Sequence, residues 1–160
     1  MQNIQWKCLA ALAEWLEIAL DKQSIVKRGK MNIEAFILCD AATDQQGKLN
    51  ILGAFDNIFA KKVPTVHPAC AIAARIRFEK IEEGSHPIRI HIIDEDGKSI
   101  GPKLQGNINI SIGNDVDSAV ANIVLNIQRL KFEKYGQYRI DLAIDNQIKG
   151  SLPFYVKEIS

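Results

Sequence analysis

The chain has 160 residues, of which 47% are hydrophobic and 24% charged, and its formal net charge is +1. This length suits one ordinary domain with an appendage, and this composition excludes a disordered polar chain. The charge balance argues against a general nucleic-acid binder, which concentrates basic residues on one face. We therefore expect a globular domain and no nucleic-acid partner.

The beginning of the chain carries a helical pattern. Between Ile4 and Leu20 the apolar residues recur with the period of a helix and share one broad face opposite a narrow charged strip. That face contains Cys8, Leu9, Leu12, Trp15, Leu16, Ala19 and Leu20. We predict one N-terminal amphipathic helix that ends near Gly29. Glu14 and Glu17 interrupt the apolar residues of this segment. The segment therefore does not match a secretory signal, and it is shorter than the roughly 20 apolar residues that a membrane-spanning helix needs. We expect a cytoplasmic location.

Residues 1–30 and 31–160 differ in character, and we treat them as separate segments. Both tryptophans, Trp6 and Trp15, precede Met31. One interpretation is that Met31 is the native start and that residues 1–30 are an upstream start-site extension. The alternative is that the helix is genuine and packs its Trp15 face against the domain or a partner, since a short helix alone in water is marginal.

From Met31 onwards the apolar residues follow a period of two. Apolar and polar residues alternate over 88–92, 104–112, 121–128 and 138–145, as they do in strands that bury one face. Turn sequences separate these runs, among them 44–47, 94–97 and 145–146. The pattern predicts an all-β domain over residues 31–160, an immunoglobulin-like or C2-like antiparallel β-sandwich of seven or eight strands preceded by the helix.

Two stretches of this domain resemble a known family. The opening 31–40 and 47–58, and the closing 136–140 and 152–156, are similar to a family of uncharacterised bacterial β-sandwich proteins catalogued only as a domain of unknown function. The resemblance covers residues 31–159 and implies a fold without implying catalytic residues. Gly136 followed by Tyr138 also resembles the tyrosine corner of immunoglobulin-like sandwiches, in which a tyrosine hydroxyl bonds back to the backbone.

The polar residues offer three candidate sites. Seven loop acids provide the oxygens that calcium requires, although aspartate is also a common turn residue; they are Asp40, Asp44, Asp94, Glu95, Asp96, Asp115 and Asp117. His67, His86 and His91 are candidate metal ligands or bases, but only His67 has a nearby cysteine, Cys70, so we interpret all three as isolated surface or turn residues. Arg75 and Arg77, with Arg89 on a neighbouring strand, form a candidate anion-binding stripe or a solvated outer face.

The remaining motifs favour binding over catalysis. Cys8, Cys39 and Cys70 are odd in number and form no CxxC pair, so we expect reduced thiols and, for Cys39 and Cys70, burial. No nucleophile elbow, phosphate loop or dinucleotide fingerprint is present in the sequence. We expect no enzyme activity, cofactor, metal or catalytic residue. The sequence favours a non-catalytic protein-interaction module, and the alternative is a small-ligand or calcium-dependent binding sandwich.

Overall fold

The computed structural model describes residues 30–159, which form nine β-strands and one short 3₁₀ turn at Lys80–Glu82. The strands are β1 (Asn32–Gln45), β2 (Lys48–Ala54), β3 (Asn57–Ala60), β4 (Thr65–Glu79), β5 (Gly84–Asp94), β6 (Ser99–Ile110), β7 (Ser118–Phe132), β8 (Gly136–Ile144) and β9 (Gln147–Glu158). In this part of the chain, no helix is long and apolar enough to cross a membrane. The predicted N-terminal helix lies outside the described residues.

The nine strands form two sheets. The first sheet has the order β2-β1-β4-β7 and the second the order β3-β9-β8-β5-β6. The all-β sandwich prediction is therefore confirmed, but the number of strands and the purely antiparallel pairing were wrong. Strand β3 was missed, and it pairs in parallel with β9. Its four residues are too few to show an alternating pattern, and its partner lies about a hundred positions away, so no local signal marks it.

The core lies between the two sheets. Inward-facing residues alternate along β5, β7 and β8 as the sequence predicted, and Ile72 and Ile76 of β4 meet Ile90 and Ile140 of the second sheet in one cluster. An aromatic group closes one part of this core, with ring centroids of Phe132 and Tyr138 5.0 Å apart and those of Tyr138 and Phe154 5.6 Å apart. The Tyr138 hydroxyl donates a hydrogen bond to the Lys134 carbonyl at 2.8 Å, which confirms the predicted tyrosine corner.

The hairpin formed by β1 and β2 folds back over the outer face of the first sheet. The first half of β1 pairs with β4 and the second half with β2. If the hairpin continued straight beyond Cys39, its eight further residues would carry the tip at Gly47 about 27 Å away. Instead, the Gly47 carbonyl accepts a hydrogen bond from the side-chain nitrogen of Asn122 at 3.0 Å. Asn122 pairs with Arg75 in the middle of the first sheet. The chain therefore reverses near Asp40. Beneath the hairpin lies a second small core of Cys39, Ala42, Ala71 and Ala73, flanked by Ile37, Leu49, Ile51 and Val124.

Candidate functional site: a groove at the open edge of the sandwich

A groove of about 300 Å³ lies where the base of the β1–β2 hairpin meets strand β3, and we call it the edge groove. Strand β3 is one of the two edge strands of the second sheet and contributes Asn57, Ile58 and Phe59. The first sheet contributes the bend of β1, the end of β2 and the start of β4. The groove is lined by Asp40, Gly53, Ala54, Phe55, Asn57, Ile58, Phe59 and His67.

The bend that forms one wall depends on a glycine. Gly53 has φ +66°, a conformation that side chains rarely adopt, and a Cβ added there would lie 2.2 Å from a carboxylate oxygen of Asp40. Asp40 therefore sits directly against the backbone of β2, and the pairing of β1 with β2 continues on both sides of this contact. Any side chain at Gly53 would displace the Asp40 carboxylate from the wall of the groove.

Two polar atoms behind the groove wall lack hydrogen-bond partners among the described residues. They are Oδ1 of Asn57 and Nε2 of His67, and both are shielded from solvent. The His67 ring packs against Phe55, with centroids 5.6 Å apart. A shielded polar atom without a partner costs about 1–3 kcal/mol, so both residues lower the stability of the groove wall that they form.

The histidines differ in their surroundings, although all three were interpreted as isolated surface or turn residues. His67 lines the edge groove. His91 lies on the outer face of β5 as predicted, but its Nε2 is shielded from solvent. His86 is only 14% exposed and bonds through both ring nitrogens, Nδ1 to the Asp145 carboxylate at 3.0 Å and Nε2 to the Glu82 carbonyl at 2.6 Å.

The pattern of bonds around His86 determines its protonation state. Both partners accept hydrogen bonds, so both ring nitrogens carry hydrogens only when the imidazole is protonated. Burial by itself lowers the pKa of His86, but the hydrogen bonds to the Glu82 carbonyl and the Asp145 carboxylate outweigh it, and the pKa is raised. His86 therefore joins the 3₁₀ turn to the β8–β9 turn and does not serve as a free base.

The loop acids do not converge into a calcium site. Asp94 ends β5, and Glu95 and Asp96 follow it in the connection to β6. Asp115 and Asp117 lie between β6 and β7, at the opposite end of a strand about 40 Å long. Within residues 30–159 no group of three or more histidine, cysteine or acidic side chains is placed to hold a metal ion. Several of these acids instead stabilise turns: Asp44 accepts the Gly47 N–H, and Asp94 accepts the N–H groups of Asp96 and Lys98.

The predicted arginine stripe is divided between the two sheets. Arg75 and Arg77 lie on β4 in the first sheet, where they share the carboxylate of Glu34. Hydrogen bonds to these guanidinium groups lower the pKa of Glu34, with the bond to Arg77 the largest cause. Arg89 lies on β5 in the second sheet, so placing it beside Arg75 and Arg77 was wrong. Sequence alternation identifies the face of a strand but not the sheet to which it belongs.

The two described cysteines are buried and unpaired. Cys39 pairs in register with Ala71, and Cys70 is the preceding residue on β4, so the two thiols point to opposite faces of the first sheet. They lie in different cores and cannot form a disulfide. Burial raises the pKa of Cys70 to about 11 and also raises that of Cys39. The expectation of buried, reduced thiols is thus confirmed for these two, while Cys8 lies outside the described residues.

The family to which the sequence belongs emerges from comparison with known proteins. A family model described as a family of unknown function, DUF6941, matches residues 34–157, which are most of the sandwich. The chain belongs to this family. The resemblance of residues 31–159 to a domain of unknown function is therefore confirmed. No curated protein matches the chain.

The solved structures that are similar to this chain have low identities. A DNA glycosylase from Pseudomonas fluorescens, bound to DNA containing an abasic site analog, aligns with 7% identity and a TM-score of 0.45, over 79% of this chain and 30% of that one. A β-glucosidase from Listeria innocua in complex with isofagomine aligns with 7% identity and a TM-score of 0.45, over 81% of this chain and 16% of that one. An immunoglobulin-like protein from Pseudomonas aeruginosa aligns with 13% identity and a TM-score of 0.37, over 82% of this chain and 99% of that one.

Only part of the edge groove was predicted from the sequence. Asp40 and His67 were candidates, but in separate groups, a calcium set and a set of isolated histidines. Asn57, Phe55 and Phe59, which complete the groove, were not predicted. The available signal was weak: two phenylalanines and an asparagine within five residues, next to a turn. Only the position of β3 at the sheet edge shows that Phe59 is left exposed.

Proposed function

We propose that this protein is a non-catalytic protein-interaction module that binds its partner at the edge groove and the adjoining surface of β3 and β9. One observation supports this proposal above the others. Phe59 is 61% exposed and Tyr155 is 36% exposed, and both lie on the outer face of the same edge of the second sheet. We call Phe59, Tyr155, Lys157 and Ile159 the aromatic edge.

The register of the two strands places these side chains together. Asn57 pairs with Tyr155 and Phe59 with Lys157, and the inward neighbours Ile58 and Val156 are buried. The Lys157 ammonium lies 5.4 Å from the centre of the Tyr155 ring, so its aliphatic stem extends the apolar surface. Large aromatic side chains on a surface are the residues that most often contribute the binding energy of protein interfaces. Phe59 belongs to both surfaces, since it also lines the groove.

The edge position of β3 favours side-chain anchoring over strand addition. The strand pairs only with β9, which leaves one row of backbone groups without a strand partner among the described residues. Four residues offer few backbone hydrogen bonds to an added strand, and short edge strands are a common protection against such pairing. We therefore infer that aromatic anchors, and not a continuous sheet, hold the partner.

The polar cluster on the outer face of β8 supports the non-catalytic part of the proposal. The Ser151 hydroxyl donates to the Asp141 carboxylate at 2.6 Å, and Arg139 forms an ion pair with the same carboxylate at 2.9 Å. A nucleophilic serine needs a base that accepts its proton and is itself free to act. Here the acceptor is the Asp141 carboxylate, whose charge is balanced by Arg139. We therefore interpret this cluster as structural.

A pair of matched substitutions tests the interaction surface. Phe59→Ser removes the central anchor, whereas Ile148→Ser removes a side chain of equal exposure, 62%, on the β8–β9 hairpin of the same sheet. Each tagged variant and the parent protein is used for affinity purification from the source cells with quantitative mass spectrometry. Any protein depleted by Phe59→Ser alone is then purified and titrated calorimetrically against all three.

The expected outcome is at least a tenfold loss of affinity for Phe59→Ser, about 1.4 kcal/mol or more, and no change for Ile148→Ser. Melting temperatures of the three proteins control for misfolding. Equal retention of every captured protein by both variants would disprove the proposal.

A second candidate function uses the groove alone. The polar lining residues Asp40, Asn57 and His67 favour a small ligand that carries hydrogen-bonding groups. A thermal-shift screen of small polar compounds tests this, because a ligand of the native state raises the melting temperature. The Asn57→Ala variant should abolish a shift that depends on the groove. We do not extend this candidate to calcium, since the loop acids lie at opposite ends of the sandwich.

Three finer features of the protein belong with this proposal. The hydrogen bond from Tyr138 to Lys134 supports an immunoglobulin-like topology over a C2-like one. The buried, unpaired thiols of Cys39 and Cys70 support a reducing, cytoplasmic environment. The balanced net charge of +1 gives no support to a nucleic-acid partner.

A further inference from the structure

A second groove, of about 450 Å³, lies on the outer face of the second sheet, away from the aromatic edge. It runs along β5 and β6, at the opposite side of the sheet order from β3. The register pairs Pro87 with Asn107 and Arg89 with Gln105, so these four side chains share the outer face. Asn146, in the turn between β8 and β9, closes one end.

Arg89 is held in this groove without an acidic partner among the described residues. Its Nη2 donates to Oδ1 of Asn146 at 3.0 Å, which orients the guanidinium and leaves four of its five N–H groups. The arginines at 75, 77 and 139 each form an ion pair with a carboxylate. Arg129, which also lacks an acidic partner in this part of the chain, is exposed on the edge strand β7, whereas Arg89 is half-buried.

The groups around Arg89 determine which ligand fits. Gln105 and Asn107 add amide N–H donors on the same face, and none of the described residues that line the groove is acidic. The carboxylate of Asp145, the residue before Asn146, is already bonded to His86. A guanidinium donates two parallel hydrogen bonds to a carboxylate, and one positive charge matches one carboxylate without excess.

We propose that the Arg89 groove binds a carboxylate group, supplied either by a small organic acid or by an acidic side chain of a peptide. Arg89 forms the bidentate contact and Asn146 holds its orientation. Gln105 and Asn107 donate to the remaining oxygen lone pairs, and the Pro87 ring supports the non-polar part of the ligand. This site is independent of the aromatic edge, and its failure would leave the proposed interaction surface unaffected.

Titration of the full chain followed by amide-proton NMR tests the proposal. The probes are sodium propionate for a small acid and a blocked pentapeptide, acetyl-Gly-Gly-Glu-Gly-Gly-amide, for an acidic side chain. Sodium chloride at the same ionic strength controls for screening. We expect saturable shifts at residues 87–89, 105–107 and 146, with a dissociation constant on the order of 1 mM for at least one probe. Saturation by propionate indicates a small-acid site, and saturation by the peptide alone indicates an acidic segment.

Three variants distinguish a built site from general charge attraction. Arg89→Gln should weaken binding at least tenfold, and Arg89→Lys should give an intermediate loss because it keeps the charge but not the two parallel donors. Arg129→Gln removes the same charge elsewhere and should leave binding unchanged. Absence of saturation with both probes, or equal weakening by Arg89→Gln and Arg129→Gln, would overturn the proposal.

Discussion

The stability of this protein should decrease as the pH rises above about 6.5, because of His86. The pKa of His86 is raised in the folded protein, whereas the unfolded value is about 6.5. The protonated ring therefore stabilises the fold fully below about pH 6.5, and this contribution is lost as the pH rises through the folded pKa.

The size of the effect follows from the contacts of the ring. On deprotonation one nitrogen loses its hydrogen and faces an acceptor, either the Asp145 carboxylate or the Glu82 carbonyl. A charge-assisted hydrogen bond contributes about 1.5–3 kcal/mol, but Asp145 is 46% exposed and the pair is partly screened. We expect a loss of about 1 kcal/mol in the free energy of unfolding.

Urea unfolding at pH 5.5, 6.5, 7.5 and 8.5 measures this dependence. Asp145→Asn is the matched variant, because Asp145 has φ +53° in a two-residue turn where asparagine is equally suited. It keeps the turn and removes the charge, so its stability should change less with pH than that of the parent. A second variant, His86→Gln, keeps a polar side chain against Phe78, whose ring lies 5.0 Å away, and removes this titration. A pH dependence identical in all three proteins would refute the reasoning.

Three further predictions concern the fold. Gly53→Ala should destabilise the domain by about 1–2 kcal/mol through its positive φ, and further through contact of the new Cβ with Asp40. Gly47→Ala is the control, because Gly47 also has a positive φ but open space around its Cβ, so it measures the backbone cost alone. Equal destabilisation of the two variants in chemical denaturation would contradict the contact with Asp40. Tyr138→Phe should lower the free energy of unfolding by about 1 kcal/mol, because it removes the hydrogen bond to Lys134. Tyr155→Phe, on the surface, should change it little, as measured by thermal unfolding. No change in Tyr138→Phe would show that the tyrosine corner does not stabilise the fold. In a Cys8→Ser variant, the thiols of Cys39 and Cys70 should react with a thiol reagent at pH 7.5 only after unfolding, because both are buried and burial raises the pKa of Cys70 to about 11. Rapid reaction of the native protein would contradict their burial.

The class of fold could be predicted because its signals are local. Alternation along β5, β7 and β8 marks which side chains are buried, and the structure places Ile90, Ile127 and Ile140 in the core as the pattern predicted. The turn at Asp145 and Asn146 was equally visible, because residues that tolerate positive φ are few. These features depend on neighbouring residues, which the sequence displays directly.

The candidate sites could not be predicted because they depend on distant partners. Asp40 and His67 are 27 positions apart, and they share a groove only because β1 bends at Asp40 and β3 joins the second sheet beside it. Arg89 resembled Arg75 and Arg77 in its local pattern, yet its role differs because β5 belongs to the other sheet.

Local sequence patterns were enough to predict that residues 31–159 form β-strands, which face of most strands is buried, where the turns lie, and that Tyr138 closes a tyrosine corner. Three features depend on long-range packing and emerged from the fold: the division of the strands between two sheets, the reversal of the β1–β2 hairpin over the first sheet, and the parallel pairing of β3 with β9. The reason is physical. Side-chain alternation is set within one strand, whereas the choice of neighbour is set by the packing of whole faces against each other. The packing of whole faces determines the exposure of Phe59 and the hydrogen-bond partner of Arg89.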